Sequence, residues 1–397
     1  MAEKKELLKE LAGGASDVVL VGKVKLTENS FSGDQLSEKN KDNPWAYRRA
    51  NFGIETADGN VVYVQLSGGY HAKAKAPVAY SQDKDYQQVQ VPWANRKLED
   101  VIESLNPYKL LRGGLTKDGD KLKIEKFVSG WDLYEYLEEH LQNEMWVTVR
   151  AEAEYREYKD EVSHNFEVQS VFLYEGKKVE GVEEPVKTGF TKLTQTVFLN
   201  TDSFKRVTKE DKESGQVLIQ AFVPQYVGKL NGKEIKKTIP YPMPIYVPLN
   251  TEKPEQTEAI LNKMFKVKKD TLRELTIECA VVEGFESSEP NSKDVSLSSE
   301  VQELIALGLY TEEEAKSTAS VRGNKIRKFV FTRPNLRKDK DSGSIILPMY
   351  DDKYDISALF AHVQEEEKVD SVEEHNIDMG DGDAEGGDDW MTAIGLS

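Results

Sequence analysis

The run Trp45-Ala46-Tyr47-Arg48-Arg49, with Phe52 close behind, sets aromatic rings beside guanidinium groups. One chemistry needs that combination. Rings give flat faces on which nucleobases stack, at about 1–3 kcal/mol per base, while guanidiniums neutralise phosphates. Tyr63, Tyr70 and His71 follow closely enough to extend the same platform, and Tyr155, Arg156, Tyr158 and Lys159 repeat the theme further on. The competing reading is that Trp45, Phe52 and Tyr63 are core residues, as rings in strands usually are. Lys236, Lys237, Tyr241 and Tyr246 fall in KEIKKTIPYPMPIYVPL, where three closely spaced prolines predict an edge or irregular strand. Two readings stay open there: an edge that tracks a polyanion, or a proline-protected edge that resists aggregation. The most basic segment is 316–340, with nine Lys/Arg against Asp339 alone, and Arg322, Lys325, Arg327, Lys328, Arg333, Arg337 and Lys338 supply most of it. It reads as a phosphate-tracking surface or as a solvated charged loop.

Catalytic signatures are missing. No G-x-x-x-x-G-K-[ST] loop occurs, and the stretch 112–117 (RGGLTK) lacks its framework. Neither H-E-x-x-H nor a nucleophile elbow is present, and His71, His140, His164, His362 and His375 are scattered. A lone cysteine, Cys279, rules out an intramolecular disulfide and a multi-cysteine zinc site, and it points to a reducing cytoplasm. The chain therefore reads as non-enzymatic, with no catalytic residue, metal or cofactor predicted. No run of about 18 apolar residues exists to span a membrane, and the N-terminal residues lack an apolar signal core.

The net charge of −17 argues against a polyanion partner until its distribution is examined. Between 364 and 391 stand twelve acidic residues and one lysine, so most of the excess lies near the C-terminus and the rest carries only −6. Local field decides where a polyanion docks. From 364 onward apolar content collapses, which predicts a disordered acidic tail. Its end, DMGDGDAEGGDDWMTAIGLS, holds Asp388, Asp389, Trp390, Met391 and Ile394, an aromatic and apolar tip suited to a partner's pocket or to the protein's own groove.

These residues need elements to hold them. The pattern predicts an N-terminal arm (1–16) with a short amphipathic helix over 1–11, then a β-rich module over 17–176. In that module 17–26, 47–55 and 60–67 read as strands, with Asp58-Gly59 turning a hairpin. Residues 131–141 read as a helix, and 145–158 with 164–174 as a second strand pair. Strands, helix and strands in that order fit a small Greek-key barrel of the OB-fold type. A linker (177–189) leads to a second module of related order over 190–363. Strands are expected there at 190–199, 217–227, 238–249 and 272–284, a helix at 256–265, and further helices at 298–307 and 311–316. Strand composition returns at 325–332 and 344–349. The fold class is mainly β with a few helices: tandem OB-fold-like barrels and a disordered tail over 364–397.

An acidic C-terminus ending in apolar residues behind such modules resembles the single-stranded DNA-binding proteins of bacteria and their phages. The run GKVKLTENSF, then WAYRRANFGIETADGNVVYVQLSGGY, looks like proteins of this sort encoded by phages and prophages of Gram-positive bacteria. The tip departs from a terminal acidic-Pro-Phe motif. The resemblance implies a protein that coats single-stranded DNA in replication or recombination, with a tail that recruits protein partners and competes with DNA. Two other expectations stand beside it: a virion or scaffold protein whose modules bind proteins, and a strand-annealing recombination protein.

Overall fold

Apolar residues at every second position drive most of this chain into strands. A computed structural model describes residues 6–37, 42–158, 161–230, 233–250, 252–285, 325–339 and 342–360. In the first half these are β1 (Ser16–Lys25), β2 (Gln35–Ser37), β3 (Trp45–Ala57), β4 (Asn60–His71), β5 (Val78–Gln82), β6 (Gln88–Pro92), helix α1 (Glu99–Ser104), β7 (Leu111–Asp118), β8 (Lys121–Phe127), helix α2 (Gly130–His140), β9 (Trp146–Tyr158) and β10 (Glu161–Leu173). The second half holds β11 (Phe190–Leu199), α3 (Lys209–Ser214), β12 (Gln216–Leu230), β13 (Lys233–Pro248), α4 (Pro254–Met264), β14 (Leu272–Phe285), β15 (Lys325–Pro334), β16 (Arg337–Lys338), β17 (Ile345–Ile346) and β18 (Met349–Tyr354). The fold is mainly β with a few helices.

Strand pairing gives the topology. In the first half β1 pairs antiparallel with β3, β3 with β4, β10 with β9 and β9 with β1, while β4 and β10 run parallel. In the second half β11 pairs antiparallel with β12, β12 with β13, β15 with β14 and β14 with β11, while β13 and β15 run parallel. Each half is thus a closed circuit of five strands. A helix precedes the fourth strand in both, α2 before β9 and α4 before β14. That connectivity is the OB-fold Greek key, and it occurs twice. The two circuits are joined, because β1 also pairs antiparallel with β11 from Ser16↔Gln195 to Val21↔Phe190.

Inside the first barrel Ala50, Phe52 and Ile54 of β3 meet Val62, Val64 and Leu66 of β4, together with Leu133, Tyr134 and Leu137 of α2. Burying each large apolar side chain stabilises the fold by about 1.5–3 kcal/mol. Helix α2 sits close to β4 because two glycines face each other. A Cβ on Gly68 would lie 2.1 Å from the Trp131 nitrogen, and one on Gly130 2.1 Å from the Ser67 oxygen.

The N-terminal residues depart from expectation. Among the described ones, 6–11 form no helix; Leu8 lies beside β18, with its N–H donating to the Lys353 carbonyl at 3.0 Å. Leu11 is buried with Phe198, Leu272, Tyr354 and Leu359. That burial outweighs the local helical preference of a short Lys/Glu/Leu run, which is marginal without packing. Residues 68–129, with no regular elements assigned from sequence, contain two hairpins (β5–β6 and β7–β8) and α1. The helices expected at 298–307 and 311–316, and the tail, lie outside the described residues.

Candidate nucleic-acid interface

The outer face of the β3–β4 hairpin is set by the same alternation that builds the core. With Ala50, Phe52 and Ile54 pointing in, Trp45, Tyr47, Arg49, Asn51 and Gly53 must point out. Pairing places them opposite the outward residues of β4: Trp45↔His71, Tyr47↔Gly69, Arg49↔Ser67, Asn51↔Gln65 and Gly53↔Tyr63. Five cross-strand pairs therefore form one surface about 26 Å long, at roughly 3.3 Å per residue. Two aromatic ends flank a polar centre.

Trp45 and His71 meet edge to face at 5.0 Å, and Trp45 is 38% exposed. Tyr47 has no side chain opposite it, since a Cβ on Gly69 would come within 2.1 Å of the Ala46 carbonyl oxygen. At the other end Tyr63, 36% exposed, lies beside Gly53, whose absent Cβ would stand 3.5 Å from the ring. Between them, the Arg49 guanidinium is 5.6 Å from the Tyr47 ring centroid, and its Nε is buried without a hydrogen-bond partner. Among the described residues no carboxylate pairs with Arg49, which leaves it the cation able to take a phosphate.

The neighbouring arginine does something else. Arg48 points to the opposite side, where Nε donates to Asp34 Oδ1 at 2.6 Å and Nη1 to Glu135 Oε1 at 3.1 Å. Its guanidinium lies 4.4 Å from the Trp131 ring centroid. Arg48 thus pins the segment around Gly33 and Asp34 to α2, as does the Gly33 N–H, which donates to the Tyr134 hydroxyl at 2.9 Å. Tyr70 also turns away from the platform, 4.7 Å from Trp93 and 5.7 Å from Trp131.

Three residues expected to meet DNA are core instead. Phe52 is 1% exposed, on the inward phase of β3. Tyr155 is 3% exposed on the inward phase of β9, and its hydroxyl donates to Gln195 Oε1 at 3.2 Å. Tyr241 is 3% exposed between the prolines of β13. In each, strand parity puts the ring in the buried core, that of Tyr155 against Gln195 and Met243 of the second barrel.

The cations expected to share the site are dispersed. Arg156 is exposed and bonded to Glu154 at 2.8 Å. Lys236 pairs with Glu234 and Lys237 with Glu10, at the far end of the β12–β13 hairpin. Arg327 is committed to the junction between barrels, donating to Glu283 Oε1 and to the His164 carbonyl, each at 2.8 Å. Glu283 in turn accepts from the Tyr63 N–H at 3.4 Å, so the second barrel borders one end of the platform. Lys328 lies 5.1 Å from the Tyr246 ring centroid. The side chains of Tyr158 and Lys325, the residue Arg322, and Asp388, Asp389, Trp390, Met391 and Ile394 lie outside the described residues.

The polar centre was not legible as a set: Asn51, Gln65, Ser67 and, from β10, Glu167. Glu167 Oε1 accepts from the Ser67 N–H at 2.9 Å and lies 3.3 Å from its hydroxyl, while Oε2 lies 3.3 Å from Gln65 Nε2. Burial pushes the Glu167 carboxyl up to about 7. Parity counted outward from Phe52 would have found Asn51 on this face, but Glu167 needs the β4–β10 pairing.

The equivalent face of the second barrel has other contents. Its pairs are Leu218↔Tyr246, Gln220↔Pro244, Phe222↔Pro242, Pro224↔Pro240 and Tyr226↔Thr238. Tyr226 is well exposed, but the row is largely apolar and proline-lined, with Lys328 beside Tyr246. Among the described residues no group of three or more His, Cys, Asp or Glu side chains is arranged to hold a metal ion. No helix among them is long and apolar enough to cross a membrane.

No protein-family model matches this chain, and no curated protein matches it. Among solved structures it is similar to a deletion mutant of the single-stranded DNA-binding protein from Thermus aquaticus, at 12% identity and a TM-score of 0.28. That similarity covers 69% of this chain and 89% of the other. The assignment of two OB-folds rests on the strand pairings themselves.

Proposed function

We propose that this protein binds single-stranded DNA without catalysis, along the outer face of β3 and β4. One observation carries the reading: Trp45, Tyr47, Arg49, Tyr63 and His71 share a single exposed surface on the second and third strands of an OB barrel. Oligonucleotides bind OB-folds on those strands. Rings take the bases, Arg49 takes a phosphate, and the amides of Asn51 and Gln65 adapt to whichever base edge is presented. The barrel supplies a site of about four or more nucleotides with little sequence preference. No metal or cofactor takes part in this reading.

The cellular role belongs to the same proposal. The resemblance of the first module and the acidic end supports a coating protein of phage or mobile-element replication and recombination. Residues 364–397, with their Asp388-Asp389-Trp390-Met391 tip, recruit replication or recombination proteins and compete with DNA for cationic surface. Titration of labelled oligo-dT, followed by fluorescence anisotropy, tests the reading. Wild type binds, with affinity falling as salt rises. Trp45→Ala lowers affinity by about 1–3 kcal/mol, the worth of one stacked base. Absence of binding at low salt, or full affinity in a folded Trp45→Ala protein, refutes it.

A further inference from the structure

Glu167 is out of place on a surface built for a polyanion, and its position suggests a use. We infer that Glu167 reads a base, accepting from an exocyclic amino group and so favouring cytosine over thymine at the centre of the platform. The inference rests on the proposed binding of single-stranded DNA.

The geometry supports it in three steps. First, Glu167 enters the ladder opposite Gln65, beside the Asn51↔Gln65 and Arg49↔Ser67 pairs, so its carboxyl lies among the outward residues. Second, its acceptor capacity is not used up. A carboxylate has about four lone-pair sites. Ser67 occupies two of them on Oε1, and Gln65 reaches Oε2 only at 3.3 Å. Third, a negative group there repels phosphate, whereas Arg49, with no carboxylate partner among the described residues, attracts it. Arg49 on β3 and Glu167 on β10 are two strand spacings apart, about 10 Å. The backbone therefore runs on the Arg49 side, and base edges turn toward Glu167.

Cytosine presents its N4 amino hydrogens to such a carboxylate, a recognised pairing in direct readout. Thymine presents the O4 carbonyl at the same place, acceptor against acceptor. The charged groups around Glu167 are Glu152, paired directly opposite it on β9, Glu154 and Arg156 of the same strand, and, two strands away on β3, Arg49; Ser67 and Gln65 of β4 are neutral. With its carboxyl titrating about 7, Glu167 is protonated in mild acid, and a protonated carboxyl donates to thymine O4 as well as accepting.

The test compares oligo-dC with oligo-dT of about 16 nucleotides, the upper end of one OB-fold's site size, by anisotropy. The readout is the ratio of the two dissociation constants, dT over dC, which cancels differences in backbone stiffness between wild type and variant. Glu167→Gln keeps an oxygen for the Ser67 N–H but adds donors for thymine O4, so the ratio should fall by about fivefold or more. In wild type the same ratio should be smaller at pH 6 than at pH 8, and this pH dependence should shrink in Glu167→Gln, which separates Glu167 from protonation of the cytosines themselves. Binding of both oligonucleotides with a ratio unmoved by variant and by pH overturns the base-reading role alone. Failure of both oligonucleotides to bind wild type overturns the proposed function with it.

Discussion

Arg48 and Arg49 are adjacent and chemically identical, yet strand parity gives them different work, which makes them a sharp test. Each phosphate neutralised on a single strand contributes about 0.7 to the slope of log affinity against log salt. If that contact vanishes at 1 M salt, it is worth about fivefold at 0.1 M, about threefold at 0.2 M and about eightfold at 0.05 M. Arg49→Ala should therefore weaken oligo-dT binding by about fivefold at 0.1 M salt and shallow the slope by about 0.7. Its folding stability should change little, because Arg49 makes no ion pair among the described residues, only the 5.6 Å contact with the Tyr47 ring. Arg48→Ala should do the reverse. Its partners Asp34 and Glu135 are partly exposed, so those ion pairs contribute about 0–1 kcal/mol each. The Trp131 contact adds about 0.5–1 kcal/mol. Together the loss is about 0.5–3 kcal/mol of stability, with the salt slope unchanged. Anisotropy titrations at four salt concentrations and a urea unfolding curve for each variant give all the numbers. A folded Arg49→Ala protein with wild-type slope, or a shallower slope in Arg48→Ala, would refute the parity argument.

Phe52→Ala should destabilise the first barrel by about 3–5 kcal/mol, because it empties a fully buried site; urea unfolding measures this, and a loss under 1 kcal/mol would return Phe52 to the surface. Arg273 donates through Nε and Nη2 to Asp351 at 2.6 and 2.7 Å and caps the last carbonyls of α4 at Met264 and Lys263. It holds the Asp351 carboxyl below its ordinary range. With the folded value depressed, that stabilisation is complete above about pH 4 and is lost as pH falls through the folded value. Asp351→Asn should accordingly flatten the acid limb of the stability curve, and an unchanged limb would assign it to other carboxylates. Truncation before residue 364 should tighten oligo-dT binding and raise the salt concentration at which it is lost; unchanged or weaker binding would count against competition by the tail.

Strand and helix positions were legible wherever a segment was long and its alternation clean. The β3–β4 hairpin was marked by Asp58-Gly59, with Gly59 at φ +72°, and α2 by Leu133, Tyr134 and Leu137 at helical spacing. The same alternation carries the inward or outward sense of each ring, but only once one residue is fixed as core. Without that anchor, Phe52, Tyr155 and Tyr241 look as available as Trp45 and Tyr63. The N-terminal residues misled because Leu8 and Leu11 are held by contacts with β18 and its surroundings, more than 300 residues away in sequence. Glu167 and Arg327 were illegible for the same reason. Their roles come from a parallel strand pairing and from a contact between barrels, neither of which leaves a local trace.

The two barrels show how little of a binding site is contributed by topology. Both close in the same order, and both present the outer faces of their second and third strands. In β13, prolines stand at 240, 242 and 244, and Pro240 faces Pro224 of β12. A pair with no N–H on either side cannot exchange backbone hydrogen bonds, so β12 must be held through the odd residues of β13. Successive N–H groups along a strand alternate sides, so the missing donors all fall on the edge toward β15. There the parallel pairing is confined to Ile245↔Phe329 and Tyr246↔Val330. Prolines on the outward phase also occupy the third strand, whose counterpart β4 in the first barrel carries Gln65 and Ser67 outward. The second barrel has thus exchanged adaptable donors for rigid rings that discourage strand addition. Its Glu283 and Arg327 instead fix the junction beside Tyr63, so the second barrel borders one end of the platform.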